Sequence, residues 1–132
     1  MGGSAPMTAS ANLLAGWIGF LAGALTGAWM GLQFHREEWL GGYGSFPRRM
    51  IRLGHIACFG LGLINILFAL TAALLPVSAA VHAGSALLVV GMITMPLNCF
   101  LTAWRKPFRH LFFIPVLSLI AAIVLILLGG AP

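Results

Sequence analysis

Four long apolar stretches are the feature that most limits what this chain can fold into. They run from Asn12 to Phe34, Leu53 to Leu75, Val81 to Trp104 and Leu111 to Gly130. Each has about 20 or more residues, enough for a helix to cross a hydrocarbon layer about 30 Å thick. Backbone polar groups in lipid must be satisfied within the segment itself, so each stretch is predicted to be a helix.

The sequence therefore predicts an all-α integral membrane protein with four transmembrane helices in an up-down bundle. The expected helices cover about 12–34, 50–75, 81–104 and 111–130, with an interfacial loop over 35–49, and residues 1–132 form a single transmembrane domain. The composition agrees with this class, because 61% of the residues are hydrophobic and only 7% are charged. Soluble domains carry about 25% charged residues.

Charge is confined to two short segments of the chain. Six of the nine charged side chains lie in 35–52 and the other three lie in 105–109. Both segments connect predicted helices at the same end of the bundle. Since Lys and Arg in short loops are retained in the cytoplasm, we expect both charged loops on the cytoplasmic side and both termini on the opposite side. The expected location is a bacterial cytoplasmic (inner) membrane.

The net charge of +5 is not interpreted as nucleic-acid binding, because no soluble basic domain or recognition element accompanies it. Cations beside a membrane attract anionic headgroups by about 1 kcal/mol each. We therefore expect contact with anionic headgroups and a bound phospholipid, and the sharper hypothesis is a pocket for a specific anionic lipid or an acidic partner surface. The residues assigned to this contact are Arg48, Arg49, Arg52, Arg105, Lys106 and Arg109.

Small residues recur every four positions along the first predicted helix. Ala15 is followed by Gly19, Gly23, Gly27 and Gly31. Such a glycine zipper allows the backbone of another helix to approach closely. The second helix offers Gly54, Gly62 and Asn65, so the first two helices are predicted to pack together as a hairpin. The alternative is that the glycine stripe faces another subunit.

A possible ligand cluster lies toward the cytoplasmic end of the bundle. Thiol, thioether and imidazole groups suit Cu(I), and two histidines on neighbouring helices suit haem. The same residue types also serve as ordinary packing residues. No cofactor is predicted, and the alternative copper or haem site comprises His55, Cys58, Met95, Cys99 and His110.

No Asp, Glu, Lys or Arg lies in any of the four apolar stretches. Proton-coupled carriers and ion pathways usually need one, so these classes are disfavoured. No nucleophile–base pair, phosphate-binding loop or carboxylate pair is present either, and we expect no enzyme and no catalytic residue. The favoured function is a non-catalytic accessory subunit of a larger membrane complex of the respiratory or photosynthetic electron-transfer type, in contact with other transmembrane subunits and lipids. The alternative is a small metal- or haem-binding membrane protein.

Overall fold

A computed structural model describes residues 7–131 and is all-helical over that range. Its four long helices are α1 (Met7–Gly31), α2 (Phe46–Thr71), α3 (Ala79–Trp104) and α4 (Phe113–Gly130). All four are long and apolar enough to cross a membrane. The all-helical class and the four apolar helices predicted from the sequence are therefore present.

The helix ends differ from the predicted ends by a few residues. α1 begins at Met7 rather than Asn12 and ends at Gly31 rather than Phe34. α2 begins at Phe46 rather than near residue 50, because the Ser45 hydroxyl accepts a hydrogen bond from the Arg48 N–H (3.3 Å) and caps the helix. Ser78 caps α3 in the same way by accepting from the Val81 N–H at 3.2 Å. Such caps satisfy N–H groups that lack a partner within the helix.

The loop between α1 and α2 is tightly folded. It contains one 3₁₀ turn at Trp39–Gly41, and Leu40, Gly41 and Gly42 have positive φ angles of 55°, 86° and 93°. Glycine adopts such angles without cost, whereas leucine rarely does. The Ser45 hydroxyl donates to the Leu40 carbonyl at 2.7 Å, which helps to hold Leu40 in this conformation.

Successive helices run antiparallel. Gly16 lies beside Gly62 whereas Gly27 lies beside His55, so residue numbers rise along α1 as they fall along α2. Likewise Asn65 contacts Leu88 and Gly54 contacts Phe100, which sets α2 against α3 in opposite directions. This order places both charged segments at one end of the helices.

α3 is the central helix of the array. It packs against α2 and α4 along its length and also contacts α1. At the end where α1 begins and α4 ends, an apolar core joins Phe68 of α2, Val81 and Leu88 of α3 and Ala122 of α4. α4 buries only Pro115 and Ala122, so most of its apolar surface remains exposed.

Candidate functional site

A cluster of polar side chains joins α1, α2 and α3 in the interior. The Asn12 Nδ2 group donates to Asn65 Oδ1 at 2.8 Å and to the Ser85 carbonyl at 3.1 Å. The Ser85 hydroxyl donates in return to Asn12 Oδ1. All three side chains are buried, so their polar atoms depend on one another for hydrogen bonds.

Asn65 also holds the backbones of two helices. Its Nδ2 group donates to the Leu61 carbonyl in its own helix at 2.9 Å and to the Leu88 carbonyl of α3 at 3.2 Å. Because hydrogen bonds are directional, the cluster fixes how the three helices slide and rotate relative to one another. We refer to Asn12, Asn65 and Ser85 as the amide cluster.

Asn65 was predicted from the sequence to be a packing residue, whereas Asn12 and Ser85 were not. The predicted first helix begins at Asn12, whereas α1 begins five residues earlier at Met7. Asn12 thus lies five residues inside α1, while Asn65 lies six residues before the end of α2 and Ser85 six residues after the start of α3. At 1.5 Å per residue, each therefore lies about 7–9 Å from the end of its helix, and this similar depth is the signal in the sequence that relates the three residues.

The glycines of α1 lie against the other helices of this chain. A Cβ atom on Gly19 would lie 2.9 Å from the Cys58 carbonyl oxygen, and one on Gly23 would lie 2.6 Å from the Phe59 ring. One on Gly27 would lie 2.7 Å from His55 Cε1. Between Gly19 and Gly27 the stripe is therefore covered within the chain and is not left open for another subunit.

Three positions depart from the predicted stripes. Gly31 is open, because an added Cβ would meet no atom within 4 Å, so this glycine forms no close helix contact. Gly54 faces Phe100 of α3, at 2.6 Å from an added Cβ, and does not face α1. Gly16 was not among the predicted positions, yet the backbones of α1 and α2 approach most closely there. An added Cβ on Gly16 would lie 2.6 Å from the Gly62 carbonyl oxygen.

The six cations assigned to lipid or partner contact divide into groups with different surroundings. Arg48 is buried beneath the α1–α2 loop, where it donates to the Glu37 carbonyl at 3.2 Å. Its guanidinium also lies 5.4 Å from the ring centres of Trp39 and Tyr43. Arg48 therefore fastens the loop to α2, and little of it is available to an external anion.

Arg52 also binds the loop, since it donates to the Tyr43 carbonyl at 2.9 Å and lies 4.2 Å from the centre of the Tyr43 ring. Arg49 and Arg52 line one side of a shallow concavity with Leu53 and Ile56 of α2. Arg49 and Arg109 are both exposed.

Arg105 and Lys106 each lie against an aromatic ring at the charged end of the helices. The Arg105 guanidinium lies 5.1 Å from the Trp104 ring centre, and the Lys106 ammonium lies 5.5 Å from the Phe46 ring centre. The contact between Lys106 and Phe46 brings the two charged segments of the sequence together at one end of the molecule. Attraction of a cation to an aromatic face contributes about 0.5–1 kcal/mol at exposed sites.

Trp104, whose ring lies against Arg105, lines an apolar groove with a volume of about 790 Å³. It is formed by the ends of α1, α2 and α3 and by Leu40 of the loop. The polar side-chain groups in its lining are the Thr26 hydroxyl, which already donates to the Ala22 carbonyl at 2.8 Å, and the indole N–H groups of Trp29 and Trp104. The lining residues are Thr26, Trp29, Leu40, Pro47, Ile51, Phe100, Ala103 and Trp104.

His55 faces α1. Its Nδ1 atom lies 2.9 Å from the Gly23 carbonyl and 3.3 Å from the Thr26 hydroxyl, and its ring packs edge-on against Phe59. A hydrogen bond to a carbonyl requires a proton on Nδ1. His55 is thus part of the contact between α1 and α2.

The sulfur-bearing residues lie elsewhere. Cys58 and Cys99 are free, buried thiols. Met95 and Cys99 line a concavity between α2, α3 and Phe112, together with Leu53, Ile56 and Ala57, and neither His55 nor Cys58 lines it. His110 is exposed in the 3₁₀ segment Lys106–Leu111. Within residues 7–131, no group of three or more His, Cys, Asp or Glu residues is placed to hold a metal ion.

Asn98 stabilises the connection between α3 and α4. With its amide oriented to satisfy both polar atoms, Nδ2 donates to the Phe108 carbonyl at 2.8 Å and Oδ1 accepts from the Phe112 N–H at 3.1 Å. A buried side chain of α3 thereby ties down the segment that follows Arg105 and Lys106.

Comparison with known proteins gives no family to which this arrangement can be assigned. No family model, curated protein or solved structure matches the chain.

Proposed function

We propose that the chain is an integral membrane protein whose four helices cross the bilayer, with both charged loops in the cytoplasm and both termini outside. We further propose that it is a non-catalytic accessory subunit of a larger membrane complex, of the respiratory or photosynthetic electron-transfer type. In this role it contributes helix packing and lipid contacts, and the chemistry is performed by other subunits.

The amide cluster is the observation that carries this proposal. Its buried donors and acceptors bind one another and the backbone, rather than lining a path for a substrate or an ion. His55 likewise binds the backbone of α1. Polar groups used in this way set the positions of helices, and their hydrogen bonds contribute about 0.6–1.7 kcal/mol each in a membrane.

The distribution of exposed surface supports the same role. α4 exposes aliphatic side chains along its length, including Leu117, Ile120 and Leu127 at 59%, 55% and 68%. A helix with so little buried surface suits an environment of hydrocarbon or of neighbouring transmembrane helices. The positive charge at one end supports the proposed orientation.

The test is to purify an affinity-tagged chain from the membranes of its own cells after gentle solubilisation, and to measure native masses and visible absorbance. The proposal predicts a fixed stoichiometry with larger subunits that carry the redox or pigment cofactors. It also predicts that the separated chain has no visible absorbance. A chain that is isolated alone with one equivalent of haem or copper would contradict the proposal and favour the metal- or haem-binding alternative.

A further inference from the structure

We propose that the apolar groove beside Arg105 and Lys106 binds one anionic phospholipid from the leaflet that faces the charged loops. This inference rests on the proposed membrane placement of the chain and adds a specific ligand site to it. An acyl chain lies in the groove, and the phosphate lies at the two cations.

The lining of the groove selects hydrocarbon. Its walls are aromatic and aliphatic, and the Thr26 hydroxyl is directed to the carbonyls of its own helix at 2.8 and 3.0 Å. Beyond that hydroxyl, the side chains of the lining offer a polar ligand only the indole N–H donors of Trp29 and Trp104. The volume of about 790 Å³ lies within the range of about 300–1,000 Å³ typical of ligand sites.

The charged end of the groove selects an anion. Trp104 lines the groove and carries the Arg105 guanidinium against its ring, 5.1 Å from the ring centre. Lys106 lies against Phe46, which directly precedes the groove residue Pro47. Both cations are exposed, so a phosphate can approach them without displacing a buried group. Hydrocarbon beside two accessible cations matches a lipid with a negatively charged headgroup.

The other cations are less suited to this site. Arg48 is buried and holds the loop, and Arg52 is bound to Tyr43. Of the six cations predicted to contact a lipid or a partner, Arg105 and Lys106 are therefore the two assigned to the groove. Arg49 and Arg109 serve as control cations, because both are exposed and Arg49 lines the separate concavity with Leu53 and Ile56.

The first experiment measures lipid retained by the full chain in a neutral detergent, using native mass spectrometry with added phosphatidylglycerol or phosphatidylcholine. We expect one phosphatidylglycerol per chain, retained in preference to phosphatidylcholine. Arg105→Gln with Lys106→Gln should reduce that preference about tenfold, whereas Arg49→Gln with Arg109→Gln should change it less than twofold. Equal retention of both lipids by the unaltered chain, or equal effects of both double variants, would overturn the proposal.

The second experiment fills the groove. Ala103→Trp places a large ring in the lining, while Ala86→Trp places the same ring at an exposed position of α3 outside it. The first variant should lose the retained lipid and the second should keep it, and thermal melts of both show whether they are folded. If Ala103→Trp unfolds, the quenching of tryptophan fluorescence by a phospholipid with a brominated acyl chain is compared between the unaltered chain and Trp104→Phe. Quenching that is no stronger in the unaltered chain would overturn the proposal.

Two further outcomes separate possible occupants. A photo-reactive phenylalanine analogue at position 103 that crosslinks to a polypeptide would overturn lipid occupancy in favour of a partner helix. A retained mass that matches a free fatty acid would overturn the phospholipid assignment. Membrane integration is measured separately by alkaline extraction of the membranes. A chain that stays in the membrane but retains no lipid would refute the lipid site and leave the proposed membrane placement standing.

Discussion

The two sides of α3 are joined to their neighbours by different interactions. Toward α1 and α2, α3 contributes Ser85 to the amide cluster, whose hydrogen bonds cross all three helices. Toward α4, Gly91 packs against Leu119, with an added Cβ 2.6 Å from a Leu119 methyl carbon. Directional bonds tolerate little displacement, whereas the end of a leucine side chain can move. Directional side-chain bonds thus join α1, α2 and α3, whereas α4 is joined to α3 mainly by apolar packing, with one close backbone approach where a Cβ on Gly84 would lie 2.9 Å from the Ala122 carbonyl.

The largest effect is expected from Asn12→Leu, because Asn12 binds both neighbours in the amide cluster. The substitution leaves Asn65 Oδ1 and the Ser85 hydroxyl without their buried partner. We expect the free energy of unfolding to fall by about 2 kcal/mol, measured by denaturant titration in detergent micelles.

Thr94→Val is the matched control, since the Thr94 hydroxyl donates only within its own helix, to the Val90 carbonyl. It should cost less than about 0.5 kcal/mol. Equal losses for the two variants would show that the amide cluster does not fix the register.

A smaller loss is expected from Gly16→Ala at the contact between α1 and α2. The new methyl group would lie 2.6 Å from the Gly62 carbonyl oxygen, so the two backbones must separate. Overpacking of this kind costs about 1–2 kcal/mol. The same stability titration measures it, with Gly60→Ala as the control, because an added Cβ there meets nothing within 4 Å.

Gly60→Ala should be neutral or stabilising, by up to about 1 kcal/mol, through the better helix propensity of alanine. If Gly16→Ala is as well tolerated as Gly60→Ala, then close backbone approach is not what holds α1 against α2.

The smallest effect is expected from Gly91→Ala, on the α4 side of α3. The clash is with the flexible end of Leu119, which can rotate away, so the loss should stay below about 0.5 kcal/mol. A loss as large as that of Gly16→Ala would remove the distinction between the two sides of α3.

The sequence predicted the coarse architecture because that architecture depends on long-range composition. Four apolar stretches predict four helices, and two charged segments separated by a helical hairpin must lie at the same end. The contact of Lys106 with Phe46 agrees with this. The orientation of the chain in a membrane, and its partners, remain predictions.

The individual contacts were harder to predict because they depend on helix ends and rotations. An error of five residues at the start of α1 removed Asn12 from the predicted interior. Gly54 and Gly62 share one helix, yet the former meets Phe100 of α3 and the latter meets Gly16 of α1. The groove depends on Leu40, whose positive φ angle no propensity argument would assign to leucine.

The proposed crossing of the membrane is tested most directly by introducing a cysteine at each of two positions and measuring from which side of the membrane each thiol can be labelled. Gly44→Cys lies in the α1–α2 loop and Val77→Cys lies between α2 and α3, and both positions are exposed. The two native thiols are buried, so the unaltered chain supplies the background. A membrane-impermeant maleimide added to intact cells, with the outer membrane permeabilised where one is present, should label Val77→Cys. Gly44→Cys should react only after the inner membrane is opened. Equal labelling of both positions in intact cells, or the reverse pattern, would contradict the account.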